Sequence, residues 1–168
     1  MYTIEIANQQ RVLRVDRTRL IRLAEATLKA ERVKSATISV ALVDDARIHE
    51  LNRKFLGHDY ATDVISFLLE AQSPAHAGRL RRRQPPTGLE FRGAGKALEG
   101  EVVISAETAV QIAAEYHWRP TQELSLYLVH GLLHLCGYND ETSGEQHQMR
   151  TREMEILAPW KIVPHYVA

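Results

Sequence analysis

Residues Glu123 to Cys136, ELSLYLVHGLLHLC, constrain the chain more than any other stretch. Leu124, Leu126, Leu128, Val129, Leu132, Leu133 and Leu135 cover most directions of a helix built from it, so that helix is buried. Yet Glu123, Tyr127, His130 and His134 fall at spacings of four, three and four, which makes one polar line along one side. Burying two imidazoles beside each other is costly unless each is satisfied, and a shared metal ion satisfies both.

An i,i+4 histidine pair presents two nitrogens to one point, which is how a helix supplies two zinc ligands. Gly137 can adopt a left-handed backbone, end the helix and turn the chain back. Asp140, three residues further on, is then the expected third ligand, in the pattern H-x-x-x-H-x-x-G-x-x-D. Three protein ligands leave a position for water, the arrangement of a catalytic rather than a closed structural site. A bare histidine pair at this spacing is more often a surface or satisfied core pair; the Gly and Asp at turn spacing favour the metal. His147, in the next helical stretch, is a rival third ligand, whereas His49, His58, His76, His117 and His165 stand alone and read as surface residues. Cys136 reads as a buried apolar thiol. The residue after His130 is Gly131, where H-E-x-x-H metalloproteases carry their Glu base, so a peptidase-like zinc hydrolase is the weaker reading.

Around this helix the chain alternates strand and helix patterns. Tyr2 to Ala7, Thr37 to Val43, Asp63 to Leu69 and Gly100 to Ser105 are expected strands. Asp16 caps one expected helix, and Asp44 and Asp45 cap another carrying Ile48, Leu51 and Phe55. Ser105 to His117 is expected to be helical with Val110, Ala113 and Ala114 on one face. Pro120 opens the histidine helix, and Thr142 with Glu145 forms a capping-box spacing for a last helix ending near Leu157. From about Glu70 to Leu98 there is no period; Pro, Gly and Arg dominate, including Arg81, Arg82 and Arg83, and a flexible basic insertion is expected. The order predicts an α+β fold over residues 1–168, one domain with a single mixed sheet packed by helices and the metal site on a buried helix.

Lys and Arg number 21, as do Asp and Glu, so nucleic-acid binding requires a local basic patch rather than a bulk field. One cysteine, an N-terminus without a signal-peptide pattern and no bilayer-spanning apolar run predict a cytoplasmic protein with no membrane association.

HGLLHLCGYND resembles the H-G-x-L-H-L-x-G-Y-D-H signature of the YbeY family of endoribonucleases. Leu51 to Phe67, LNRKFLGHDYATDVISF, is similar to that family's L-N-x-x-Y-R-x-x-D-x-P-T-D-V-L-S-F, and Gly100 to Ser105, GEVVIS, to its G-D-I-x-I-S. The resemblance runs from about Thr37 to Leu157 and implies one bound zinc and single-strand-specific RNA cleavage. It also implies a part in 16S rRNA 3′-end maturation and ribosome quality control, with the small ribosomal subunit as partner. Thr62, Asp63 and Ser66 become candidate site-wall residues. Asp140 stands where the family has its third ligand, a His, and Leu56 where it has an Arg assigned to catalysis or phosphate binding. Arg53 and Lys54 are the candidates to replace that Arg, and Arg81 to Arg83 to bind RNA. A noncatalytic ribosome-assembly factor, with metal serving stability alone, is the alternative that the Leu56 departure keeps open.

Overall fold

The computed structural model describes residues 1–73 and 91–166. Strand β1 (Tyr2–Asn8) leads into helix α1 (Arg17–Ala30), which starts where the Asp16 carboxylate accepts a hydrogen bond from the Arg19 N–H. Then come β2 (Ser35–Val43), α2 (Asp45–Leu51), β3 (Val64–Gln72), β4 (Ala97–Ser105) and three helices, α3 (Ala106–Glu115), α4 (Pro120–Cys136) and α5 (Ser143–Leu157). The capping box of α5 is present in both directions, Thr142 Oγ1 accepting from Glu145 N–H and the Glu145 carboxylate from Thr142 N–H.

The sheet has strand order β1-β2-β4-β3. β1, β2 and β4 are parallel, and β3 pairs antiparallel with β4 at one edge. This is the expected α+β architecture with one mixed sheet. Strand alternation gives the sheet two faces. Ile38, Val40, Leu42, Val102 and Ile104 pack against the helical layer of α1 and α4, whereas Val43, Ile65 and Val103 pack against Ile48 of α2 on the reverse.

Helix α4 is enclosed by the sheet and by α1, α3 and α5. Its close approach to the sheet depends on Gly131. A Cβ there would lie 2.6 Å from Val102 Cγ1 and 3.1 Å from Ser66 Oγ. Val102 is fully buried and has nowhere to retreat. Gly131→Ala is therefore expected to destabilise the protein by roughly 1–3 kcal/mol through overpacking, despite the better helix propensity of alanine. Urea unfolding of the variant measures this, and an unchanged midpoint would show that the interface has slack.

Three local expectations are corrected. The irregular stretch expected over 70–98 is strand at both ends, since β3 runs on to Gln72 and β4 includes Ala97 and Leu98, and most of the flexible basic insertion expected between them lies outside the described residues. Residues 68–72 pair only through their backbones, past a bulge at Leu68/Glu70, and their side chains are exposed, so no buried-strand pattern marks them. Phe55 does not continue the apolar face of α2. A π-helical turn over Asn52–Leu56 rotates it outward, leaving it 57% exposed, before Gly57 breaks the helix in a left-handed conformation. In α3 the buried face is Ala106, Ala109 and Ala113; Ala114 is exposed.

Candidate metal centre

Helix α4 carries His130 and His134 on its one side not covered by core. Gly137 ends the helix with φ +112°, and Tyr138 N–H returns to the Leu133 carbonyl. The last carbonyls of α4 are held by cations from the segment before β4: Lys96 Nζ donates to the Cys136 carbonyl at 2.8 Å and Arg92 to that of Gly137 at 3.1 Å. The turn so fixed carries Asp140 back to the histidines. Its Oδ2 lies 3.4 Å from His130 Nε2 and 3.5 Å from His134 Nε2, and the two Nε2 atoms are 3.0 Å apart.

The outer nitrogens fix the tautomer that each ring holds when neutral. His134 Nδ1 faces the Tyr138 carbonyl at 3.0 Å and must donate to it. His130 Nδ1 donates to Glu153 Oε1 at 2.5 Å. In a neutral ring so held, Nε2 is a lone pair, aimed at the other Nε2 and at a carboxylate oxygen. Three acceptors converging on one point repel unless a cation sits among them, and imidazole and carboxylate are ordinary ligands of zinc and similar ions. The donor set therefore fits a metal ion. Glu153 and the Tyr138 carbonyl stand where outer partners orient the histidines of metal sites.

Without metal, a proton takes the cation's part. Burial opposes a charge on His130, but hydrogen bonds to Asp140 and Glu153, with the charges of Glu153 and Asp63, overcome it and raise its pKa to about 10. Burial and the neighbouring His130 charge lower that of His134. The hydrogen bond from His130 holds the Asp140 carboxyl below its usual range. Since the folded pKa of His130 exceeds its ordinary 6.5, the stability it adds to metal-free protein is complete below about 6.5 and lost as pH rises towards 10. A metal must expel this proton, so its apparent affinity is expected to climb about tenfold per pH unit between pH 7 and 9. Calorimetric titration at several pH values checks this; a flat profile would contradict it.

The centre opens into a cleft of about 420 Å³ lined by residues including Asp63, Glu123, Tyr127, Arg150, His165 and Tyr166. Asp63 accepts hydrogen bonds from Thr62 Oγ1 and from Val64 N–H. Ser66 Oγ donates to the Gly131 carbonyl, tying β3 to α4 rather than facing the cleft. Glu123 is buried, and desolvation raises its pKa against the opposing effect of His165. His147 is exposed on α5 and lines no part of this cleft.

The structure does not bring Arg53 and Lys54 to the centre. Both lie on the π-helical turn that follows α2, which packs on the opposite face of the sheet, and Lys54 lines a groove there with Phe67 and Val103. Arg81, Arg82 and Arg83, like His76, fall outside the described residues. Among the described residues the cation lining the cleft is Arg150, which sequence reasoning passed over. Glu153 was also missed. Its signal was present: Met149, Glu153, Ile156 and Leu157 form the buried face of α5, and an acidic residue in that apolar stripe requires a partner. His165, read as a surface residue, is instead half-buried in the cleft.

The family profile described as Endoribonuclease YbeY matches residues 5–161. The chain belongs to the YbeY endoribonuclease family. Curated YbeY endoribonucleases resemble it over most of their length. That of Moorella thermoacetica is 40% identical over 140 residues, 83% of each chain. That of Bacillus subtilis is 34% identical over 122 residues, 73% of this chain and 71% of the relative. A Thermotoga maritima protein solved in solution shares the fold, with a TM-score of 0.53 at 22% identity over 100% of this chain and 97% of that one.

Proposed function

We propose that the chain is a zinc-dependent endoribonuclease that cuts single-stranded RNA and matures the 3′ end of 16S rRNA on the small ribosomal subunit, in the cytoplasm. No helix among the described residues is long and apolar enough to cross a membrane. The observation that carries the reading is the convergence of His130, His134 and Asp140 at the head of an open cleft, in a chain of the YbeY endoribonuclease family. These three side chains hold one zinc ion per chain. Bound there, zinc supplies a Lewis acid for a phosphate oxygen or for water.

The protein's own residues do the rest. Glu153 and the Tyr138 carbonyl keep both Nδ1 protons in place, so both Nε2 atoms stay free to bind. The cleft is acidic, with Asp63, Glu115, Glu123, Asp140 and Glu153 in its lining against Arg150. An RNA phosphate enters such a cleft only where cations offset these carboxylates, so Arg150 at its rim is the protein group placed to meet phosphate charge. Thr62 and Ser66 support the wall by holding Asp63 and Gly131. Arg81, Arg82 and Arg83 add sequence-independent phosphate contacts. Replacing all three with Ser should flatten the salt dependence of binding by roughly 0.7 for each phosphate left without its cation, and an unchanged slope would remove them from the RNA interface.

A peptidase reading is not favoured. A glutamate at position 131 would run into Val102 of the sheet rather than reach the cleft. Incubating the protein with single-stranded RNA, duplex RNA and an unfolded polypeptide, each with and without chelator, tests the proposal. Chelator-sensitive cleavage of single strands alone is expected. Cleavage of the polypeptide, or of no substrate, would overturn it.

A further inference from the structure

The chain after α5 turns back across the cleft. Ile162 is buried in the core, Val163 is exposed, and His165 and Tyr166 lie in the cleft itself. Tyr166 donates to Glu153. The His165 ring stacks parallel on Tyr116, centroids 3.9 Å apart at 11°, and packs edge-to-face with Trp118, centroids 5.1 Å apart. Its Nε2 lies 3.0 Å from Glu123 Oε2. Glu123 is 2% exposed and has Tyr127 beside it as well as this imidazole.

A flat heteroaromatic ring lies on an aromatic face while a buried carboxylate accepts from a ring N–H at its edge. Proteins hold splayed bases of single-stranded RNA in this way, by stacking and by hydrogen bonds to the base edge. The slot has no part in holding the metal. Glu123 is seven residues before His130 on the same side of α4, about 10 Å along the helix. The slot and the metal centre share one cleft.

We infer that the slot formed by Tyr116, Trp118 and Glu123 is a nucleobase subsite beside the metal centre, and that the chain's own His165 occupies it as an internal stand-in. This inference rests on the RNA-cleaving reading above. The occupant that matches best is guanine. Its Watson–Crick edge carries N1–H and an amino group side by side, two donors for the two carboxylate oxygens. Adenine and cytosine offer one amino group each. Uracil offers a single N–H between two carbonyl oxygens that the carboxylate repels. The base belongs to a nucleotide neighbouring the one whose phosphate meets the metal, and His165 must leave before that base enters.

Mononucleotides test the slot without cleavage. Guanosine and uridine monophosphate are titrated into metal-loaded protein and into His165→Ala. The variant is expected to bind the guanosine nucleotide about tenfold more tightly than the parent does, and at least tenfold more tightly than it binds the uridine one. Adding Tyr116→Leu or Glu123→Gln should remove the gain. In the intact protein, saturating guanosine monophosphate should move the His165 ring proton resonances towards those of free histidine, a readout that needs no variant. Equal affinities in parent and His165→Ala, or His165 resonances that stay fixed at saturation, would overturn the inference. Cleavage of single-stranded RNA is measured in parallel. Cleavage with no nucleotide effect sinks the subsite alone, and no cleavage by any protein sinks the RNA reading.

Discussion

Replacing His130 with Ala is expected to strip the metal and abolish RNA cleavage while the protein stays folded. His130 is the ring through which most of the centre is connected. One nitrogen faces His134 and Asp140, and the other donates to Glu153. Removing it leaves two ligands, of which one lies on a turn, and takes a partner from the buried Glu153 carboxylate. Glu153 retains Tyr166, so the expected loss of stability is on the order of 1–3 kcal/mol, short of unfolding. His134→Ala should behave alike at the metal, with a smaller effect on stability, because its outer partner is a backbone carbonyl. Elemental analysis beside far-ultraviolet circular dichroism checks both variants. Full metal occupancy in either would remove that residue from the ligand set.

The second large effect concerns the proposed ligand at which this chain departs from its family's signature. Asp140→Ala should weaken metal binding by more than the roughly 10–100-fold typical of losing an outer partner, whereas His147→Ala should leave it unchanged. The geometry is the reason. Asp140 Oδ2 stands 3.4 and 3.5 Å from the two Nε2 atoms, and His147 is exposed on α5. Asp140→His should keep the metal. It also removes one negative charge, which makes the bound ion a stronger Lewis acid and moves the pH dependence of cleavage lower. Metal titrations of the three variants, with pH profiles for those that bind, decide the point. Loss of metal from His147→Ala with retention by Asp140→Ala would reverse the assignment.

Elements whose signals are local were legible in the sequence. The apolar surround of α4, the glycine at its end and the Thr142/Glu145 capping box each act over a few residues, and each stands where its pattern put it. What escaped depends on contacts distant along the chain. Glu153 meets His130 only once α5 has packed across α4, and His165 reaches Glu123 from 42 residues away. Arg53 and Lys54 were named because they lie on the same helix as Leu56. The π-helical turn and the packing of α2 on the far side of the sheet put them elsewhere, and helical periodicity does not report which face of a sheet a helix will cover. The ends of β3 and β4 carry exposed side chains held by backbone pairing, so hydropathy was silent there.

In the proposed reading, one metal ion held by His130, His134 and Asp140 makes this chain a single-strand-specific ribonuclease. Adding zinc stepwise to metal-free protein, while following the cleavage rate of a single-stranded RNA, tests this most directly. The rate is expected to rise from background, in proportion to metal, and to level off at one equivalent per chain, with no rise for His130→Ala. Full-rate cleavage by the metal-free protein, or an identical titration for His130→Ala, would contradict it.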